Sequence, residues 1–489
     1  MSLSLLPKAA HTPAPTPLRP GSSSPVPLVG HLGEALGSRG VRYCQWKGHG
    51  KRERWESGQG DIDLLVDRES WPDFIDTVSG LGFKLALPPA GREAAGVMHF
   101  YGLDDRTGQL IHLHVYQRLM IGAPWATHYR VPLERALLAS AQQSTVFKVP
   151  SAELEVIVLV LRQTLRHSVR DVFRRLPAAW LDGALSELDR LEDQISRSRV
   201  IAALKAHLPE VGVALFDKCR DSLLPSCKSW RRQIVRFQLA RALSAHASRP
   251  PVFALFERLW ARLRALTGNF TGQRFAGGGS VVALLGGDGS GKSTCADALE
   301  AWLVPAIATL HAHLGRPPRR LPTLIAGGAL RIARTLHVKR RVVSHLELLR
   351  CLGTARDRYL LYKLARRFAA RGGIAICERY PTPEGWALAG PSEAQGVAVD
   401  IDSRLAMRLR RWERMYYDRI TAPDLVFLLQ VDPDTAVARK TNEPAAYVRE
   451  RAKRTQETDW SDSGARIIDA TQPLPQVVAT LKSELWRTL

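Results

Sequence analysis

The chain has 489 residues, with 69 Lys and Arg against 47 Asp and Glu, and a formal net charge of +22 at pH 7. That length exceeds one ordinary domain and predicts two or three. No run reaches the roughly eighteen apolar residues of a membrane-spanning helix, and the six cysteines lack Cys-x-x-Cys spacing, which argues against a disulfide frame or a cysteine-based zinc site and for a reducing, cytoplasmic setting.

Residues 1–29 are rich in Pro, Ser and Ala, have no sustained apolar stretch, and read as a disordered lead. Residues 30–150 read as an α+β unit. Within it, residues 60–66 (GDIDLLV) alternate as a strand that places Asp61 and Asp63 on one face. Two carboxylates at that spacing can jointly hold a divalent cation carrying nucleotide phosphates. Trp46-Lys47-Gly48 lies upstream; a helix over 71–81 and a strand over 110–115 (LIHLHV) lie downstream. On that strand His112 could ligate a metal or act as a base, but as a neutral imidazole it supplies no negative charge. His114 reads as a hydrogen-bonded structural histidine.

Residues 151–266 carry apolar stripes at helical spacing, such as Leu154, Ile157, Val158 and Leu161, and read as a helical connector. Residues 267–279 hold five glycines and read as a linker.

Residues 280–489 alternate strand and helix. The apolar run 281–285 predicts a buried strand, and it leads into Gly286-x-x-x-x-Gly291-Lys292-Ser293, the phosphate-binding loop pattern. Glycines there let backbone N–H groups turn inward on phosphate oxygens. A helix starting at about Lys292 aims its positive end at the same anion. Gly286, Gly289, Ser290, Gly291 and Thr294 line the loop, Lys292 can reach the β- and γ-phosphates of ATP, and Ser293 can ligate Mg²⁺. Further strands are expected at 373–377, 425–431 and 467–470, with helices over 405–420 and 434–439. Together they predict an α/β fold, a parallel sheet with helices on both faces. Arg439, Lys440, Arg449, Arg451 and Arg454 form a basic stretch, a pattern that is most often a solvated helix face. Residues 313–372 hold 15 basic and 2 acidic side chains, a net of +13. Such a segment faces an anionic surface or macromolecule, or else is a solvated basic face.

These pieces resemble the thymidylate kinase-like branch of the P-loop nucleoside monophosphate kinases. The resemblance covers about residues 280–489. It is carried by Gly287–Thr294, the strand end Glu378-Arg379-Tyr380, Pro423-Asp424-Leu425 running into Val431-Asp432-Pro433, and Ile468-Asp469-Ala470. It implies that Arg379, with Tyr380 beside it, holds the acceptor phosphate. Glu378 then positions metal or acceptor, Asp288 faces the acceptor, and Arg439 belongs to a lid. The segments that shape a thymidine pocket in that family are not matched by HAHLGRPPRRLPTL (311–324) or SEAQG (392–396). ATP and Mg²⁺ are therefore expected, with a phosphorylated small molecule as acceptor and a nucleotide as first guess. Residues 30–150 resemble a nucleotidyltransferase-fold family through Lys47-Gly48, Asp61-x-Asp63 and the 111–114 strand, where His112 replaces the third acid. The combined expectation is an ATP-dependent phosphotransferase fused to a nucleotidyltransferase-like domain. The other expectation is a nucleotide-binding regulatory or scaffold protein of polysaccharide or sugar-nucleotide metabolism, without turnover.

Overall fold

The computed structural model describes residues 25–48, 52–89, 96–123, 126–167, 180–248, 272–384, 386, 390–394 and 403–489. The expected lead up to 24 and the helix-prone stretch beyond 248 lie outside the described residues. The last residues of that lead are helical. A helix Pro27–Ser38 begins on a proline, whose fixed φ suits a first turn, and buries Leu28 and Val29.

The first sheet contains β1 (Tyr43–Gln45), β2 (Ile62–Val66), β3 (Lys84–Leu87), β4 (Val97–Asp104) and β5 (Gln109–Tyr116). Two short antiparallel pairs follow, β6 (Met120–Ala123) with β7 (Ala126–Arg130), and β8 (Gln142–Gln143) with β9 (Lys148–Val149). The stretch read as a linker supplies β10 (Arg274–Phe275), which pairs antiparallel with β3, so the first sheet runs β1-β2-β5-β4-β3-β10. β2 and β5 are parallel, while β4 and β5 are antiparallel. Strand alternation explains its two faces. Ile62, Leu64, Ile111, Leu113 and Val115 pack with Leu32, Leu36, Phe74 and Val78 of the helices Pro27–Ser38 and Trp71–Gly80. The alternate positions, Asp61, Asp63, His112 and His114, take the other face.

Five helices fill the described part of 152–242: Ala152–Arg166, Trp180–Glu192, Arg197–His207, Gly212–Asp221 and Ser229–Ala242. Ala152–Arg166 is their hub; eleven consecutive residues, Glu153 to Gln163, include ten that are buried. Its apolar positions share one core with Trp46, Tyr116 and Leu119.

The second sheet is wholly parallel: β11 (Ser280–Leu285), β12 (Thr309–His313), β13 (Ile374–Glu378), β14 (Leu425–Gln430) and β15 (Arg466–Asp469), in the order β12-β13-β11-β14-β15. Helices cover both faces. Leu299, Leu303, Leu481 and Leu485 of Lys292–Leu303 and Leu474–Thr488 pack on one side. Tyr362, Ala365 and Phe368 of the long helix Arg340–Ala370 pack on the other. Coverage on both faces is why β11 reads as one apolar run, with Val281 to Leu284 all fully buried. β12 was not expected from sequence. Its TLHAH carries two histidines in five residues, as an edge strand permits.

The two sheets share buried contacts. Ala86, Tyr101 and Leu103 of the first join the core around Leu299 and Trp486. Trp486 Nε1 donates to the Gly82 carbonyl at 3.0 Å, and Ser483 Oγ to Asp105 at 2.6 Å.

Candidate functional site

The strand order reverses direction at β11: its neighbours β13 and β14 lie on opposite sides. In open parallel sheets the crevice at the carboxyl end of such a switch point is where ligands bind. The glycine loop 286–291 emerges there. Gly286 (φ 139°) and Gly289 (φ 81°) sit in left-handed backbone. A Cβ on either would lie 2.4 Å from a carbonyl oxygen, of Leu429 and Ala436 respectively, so only glycine closes this turn.

The helix Lys292–Leu303 follows directly, and its first residues carry the polar side chains. Lys292 is buried, and its Nζ donates to the Gly287 carbonyl at 2.5 Å and to Ser290 Oγ at 3.3 Å. Burial, helped by the nearby Arg379 guanidinium, pushes its pKa down to about 8. Thr294 follows it, exposed on the same first turn.

Ser293 Oγ donates to Glu378 Oε2 at 2.6 Å. Glu378 ends β13, paired in register with Leu284 of β11 and His313 of β12. Its other oxygen accepts from His311 Nε2 at 3.0 Å, and His311 Nδ1 lies 3.2 Å from Glu300. Burial alone would raise the Glu378 pKa, but the bonds from His311 and Ser293 bring it down to about 2. The bond to Glu378 correspondingly raises His311. The hydroxyl and carboxylate are the donor set a hard divalent cation takes, so Ser293 and Glu378 fit Mg²⁺ beside a phosphate.

Asp288 is buried and ion-paired to two arginines. Arg379 reaches one carboxylate oxygen, and Arg451 Nε lies 3.0 Å from the other. Burial would raise its pKa; the two guanidiniums hold it below the usual carboxylate range. Arg379 itself occupies left-handed backbone (φ 51°), an uncommon state for a residue with a Cβ.

Lys292, Ser293, Glu378, Asp288 and Arg379 therefore converge, and Arg451 joins them. Arg439 instead donates to the Ala470 carbonyl at 2.7 Å. Lys440, Arg449 and Arg454 pair with Glu443, Asp434 and Glu450 on the surface. Tyr380 is buried in the core, its hydroxyl on the Thr421 carbonyl at 2.7 Å. Sequence reasoning missed His311, whose only signal was its place in an unpredicted edge strand.

A second polar cluster lies on the first sheet. His112 Nδ1 is 2.8 Å from Asp61 Oδ1, and His114 Nδ1 is 3.3 Å from Asp63 Oδ1. Lys47 Nζ reaches the same Asp63 oxygen at 2.9 Å, and the Tyr116 hydroxyl donates to it at 3.2 Å. Burial would raise Asp63, but Lys47 and His114 hold it well below the usual carboxylate range. Asp61, half-exposed, is likewise lowered: burial opposes this, and the His112 bond outweighs it. His114, expected to be structural, joins the cluster, as does the unexpected His99. Burial and the neighbouring His114 and His112 press the His99 pKa down to about 3.

No family model matches the chain. Over 221 residues it is 26% identical to the uncharacterized ATP-binding protein YghS of Escherichia coli K12, covering 40% of this chain and 89% of that protein. It is 24% identical over 216 residues to the uncharacterized ATP-binding protein YghR of the same strain, covering 40% of this chain and 83% of that protein. The chain is thus a distant relative of proteins named for ATP binding, a likeness consistent with a nucleotide-binding domain. Among the described residues no helix is long and apolar enough to cross a membrane.

Proposed function

We propose that residues 280–489 are a P-loop phosphotransferase unit of the thymidylate kinase-like class. It uses ATP and Mg²⁺ and acts on a phosphorylated small molecule, with a nucleotide as the first candidate. The observation that carries this reading is the Ser293–Glu378 bond at 2.6 Å, at the mouth of the glycine loop. It sets a hydroxyl and a carboxylate side by side within reach of Lys292. Phosphoryl transfer needs little covalent help from protein; it needs positioned charge. In this reading the loop amides and Lys292 hold the phosphates of ATP, Ser293 and Glu378 hold the cation, and Arg379 receives the acceptor phosphate. The cation supplies charge neutralisation on the transferring group. Arg439 and the basic stretch 439–454 would close over ATP, with Arg451 the member already seated at the loop.

The remaining organisation follows the same proposal. Residues 30–150 are a nucleotidyltransferase-like unit with Asp61 and Asp63 at its centre, joined by the helical connector 151–266. The likeness to proteins named for ATP binding supports the nucleotide. The experiment is ATP consumption by the full chain across a panel of nucleoside monophosphates and sugar phosphates, with Lys292→Ala as control. Turnover unchanged in that variant would remove the assignment.

A second reading, a nucleotide-binding regulatory or scaffold protein without turnover, is favoured by one feature. Both arginines nearest the loop are already committed to Asp288. ATP binding with no turnover on any acceptor would select it.

A further inference from the structure

We propose that His99, His112 and His114 form a three-nitrogen site for a borderline divalent transition ion, with Zn²⁺ as the type, and that Asp61 and Asp63 orient the ligands rather than bind the ion directly. This site stands apart from the glycine loop and does not depend on the phosphotransferase reading.

Strand register builds it. β4 and β5 are antiparallel, with His99 opposite His114 and Tyr101 opposite His112. β5 and β2 are parallel, with His114 beside Asp63. Side chains two residues apart share a face, so three adjacent strands present His99 and Tyr101, His112 and His114, and Asp61 and Asp63 together. One ring nitrogen from each histidine lies within 4.8 Å of the other two. His99 Nδ1 and His112 Nε2 are 3.1 Å apart. Two nitrogens sharing one tetrahedral Zn²⁺ at bonds of about 2.0–2.1 Å would be separated by roughly 3.4 Å.

The carboxylates decide which nitrogens are available. An ionised carboxylate only accepts hydrogen bonds. His112 Nδ1 therefore carries its proton toward Asp61, and His114 Nδ1 toward Asp63. Both Nε2 atoms are left with lone pairs. This is the carboxylate–histidine–metal arrangement, in which the outer acid fixes the tautomer and raises ligand basicity. Tyr101 holds the His112 ring from behind, stacked at 4.2 Å and 5°. The Gln273 amide nitrogen lies 3.3 Å from His99 Nδ1, and as a donor it leaves that nitrogen its lone pair as well. Imidazole donors favour Zn²⁺ and its neighbours over Mg²⁺, which prefers oxygen. Three protein ligands leave a fourth position for water or substrate, the pattern of catalytic zinc. Asp61 and His112 also line a cleft of ≈ 430 Å³ whose far wall is Trp302, Pro305, Ala306 and Lys482.

The test uses the full-length protein, stripped with a chelator and dialysed. Metal content is measured after exposure to Zn²⁺, and the visible spectrum after exposure to Co²⁺. We expect one equivalent of Zn²⁺, a tetrahedral Co²⁺ spectrum, a thermal midpoint that rises with Zn²⁺, and no displacement by excess Mg²⁺. His99→Gln should abolish the stoichiometric ion. Asp61→Asn should weaken it about 10–100-fold without changing the stoichiometry. Far-ultraviolet circular dichroism and the metal-free melt of each variant separate loss of ligand from loss of fold. Should His99→Gln fail to fold, the Mg²⁺ competition and Co²⁺ spectrum of the wild type decide alone. Zn²⁺ retained in a folded His99→Gln, an octahedral Co²⁺ spectrum, or ready displacement by Mg²⁺ would overturn the proposal.

Discussion

Ser293 Oγ and Glu378 Oε2 lie 2.6 Å apart and join the first turn of one helix to the end of a neighbouring parallel strand. The contact places a hydroxyl and an ionised carboxylate where a hard cation would find two oxygen donors. Ser293→Ala should therefore weaken the Mg²⁺ dependence of nucleotide binding by about 10–100-fold, the range for lost metal-site partners. Binding of metal-free nucleotide should change less. Titration of ATP with and without Mg²⁺ on both proteins measures the difference; an equal loss in the two conditions would count against a cation at this pair.

Glu378 also links pH to stability. Its pKa lies near 2, against an ordinary value of 4.5. A depressed carboxylate stabilises the fold fully above its unfolded pKa, and that contribution is lost as pH falls through about 4.5 towards 2. Each unit corresponds to about 1.4 kcal/mol, so the drop from 4.5 to about 2 sets an upper bound of about 3.5 kcal/mol. Glu378→Gln should cost up to that at pH 7, with the gap to wild type narrowing below about pH 4.5 and closed only below about pH 2. Urea unfolding at both pH values checks it. A gap that stays constant would mean the loss is one of packing alone.

Lys292 predicts a different pH profile, in affinity. Its pKa near 8 reflects burial and repulsion from Arg379. Bound phosphate favours the charged form. Below that pKa the ammonium is already protonated; above it, binding must draw in a proton. ATP affinity should thus be level near neutrality and fall by up to about tenfold per pH unit above roughly 8. Calorimetry in two buffers of different ionisation heat should register proton uptake at about pH 9. Lys292→Met should bind weakly and without that slope; a flat wild-type profile would place the lysine's proton elsewhere.

Much of this was legible in the sequence, for definable reasons. Val281–Leu285 is buried on both faces, so it appears as an unbroken apolar run, and the loop after it needs glycine at fixed places. Asp61 and Asp63 could be set on one face because strand spacing is strictly two. His99 could not be joined to them, because its place depends on the register of β4 against β5, which a non-local pairing fixes. His311 was hidden because edge strand β12 lacks an apolar signature. Among the basic residues of 439–454, composition offered no means of telling Arg451, which reaches Asp288, from Arg439, which turns to Ala470. Tyr380 followed a motif, yet the chain turns its ring into the core.

Arg379 and Arg451 hold one buried carboxylate between them, which separates their expected roles. Arg379 lies on the strand end facing the proposed acceptor. Arg379→Ala should raise the acceptor KM by about 10–100-fold, the equivalent of one lost charge-assisted bond. ATP affinity should change little, because loop amides and Lys292 remain. Arg451→Ala should lower kcat more than it raises the acceptor KM, since its helix belongs to the proposed lid. Steady-state kinetics on the first acceptor found would test both. A loss of ATP affinity alone in Arg379→Ala would contradict its assignment.

Residues 313–372 are a strongly basic segment, with 15 basic and 2 acidic side chains. The helix Leu321–Thr335 does not bury its whole apolar content: Leu321, Ile325 and Ile332 are 69%, 63% and 60% exposed. Arg319, Arg320, Lys339, Arg340 and Arg341 flank it, all exposed. Exposed apolar side chains framed by cations are the composition of a helix that lies on an anionic lipid surface. The full chain should therefore be retained on vesicles containing phosphatidylserine, more strongly than on neutral vesicles. Charge attraction at a surface is screened over about 10 Å at 0.1 M salt, so retention should fall steeply as ionic strength rises. ATP binding should fall less, because backbone amides supply much of the loop's hold on phosphate. Reversing the five charges should abolish vesicle retention, and Ile325→Ser with Leu321→Ser should reduce it with the charge intact. Heparin and RNA serve as comparisons that offer anionic charge without an apolar phase. Retention on these equal to that on vesicles, with no effect of the serine changes, would make the partner a polyanion rather than a membrane. Equal retention of wild type and the charge-reversed variant on all three would leave the segment as solvated surface.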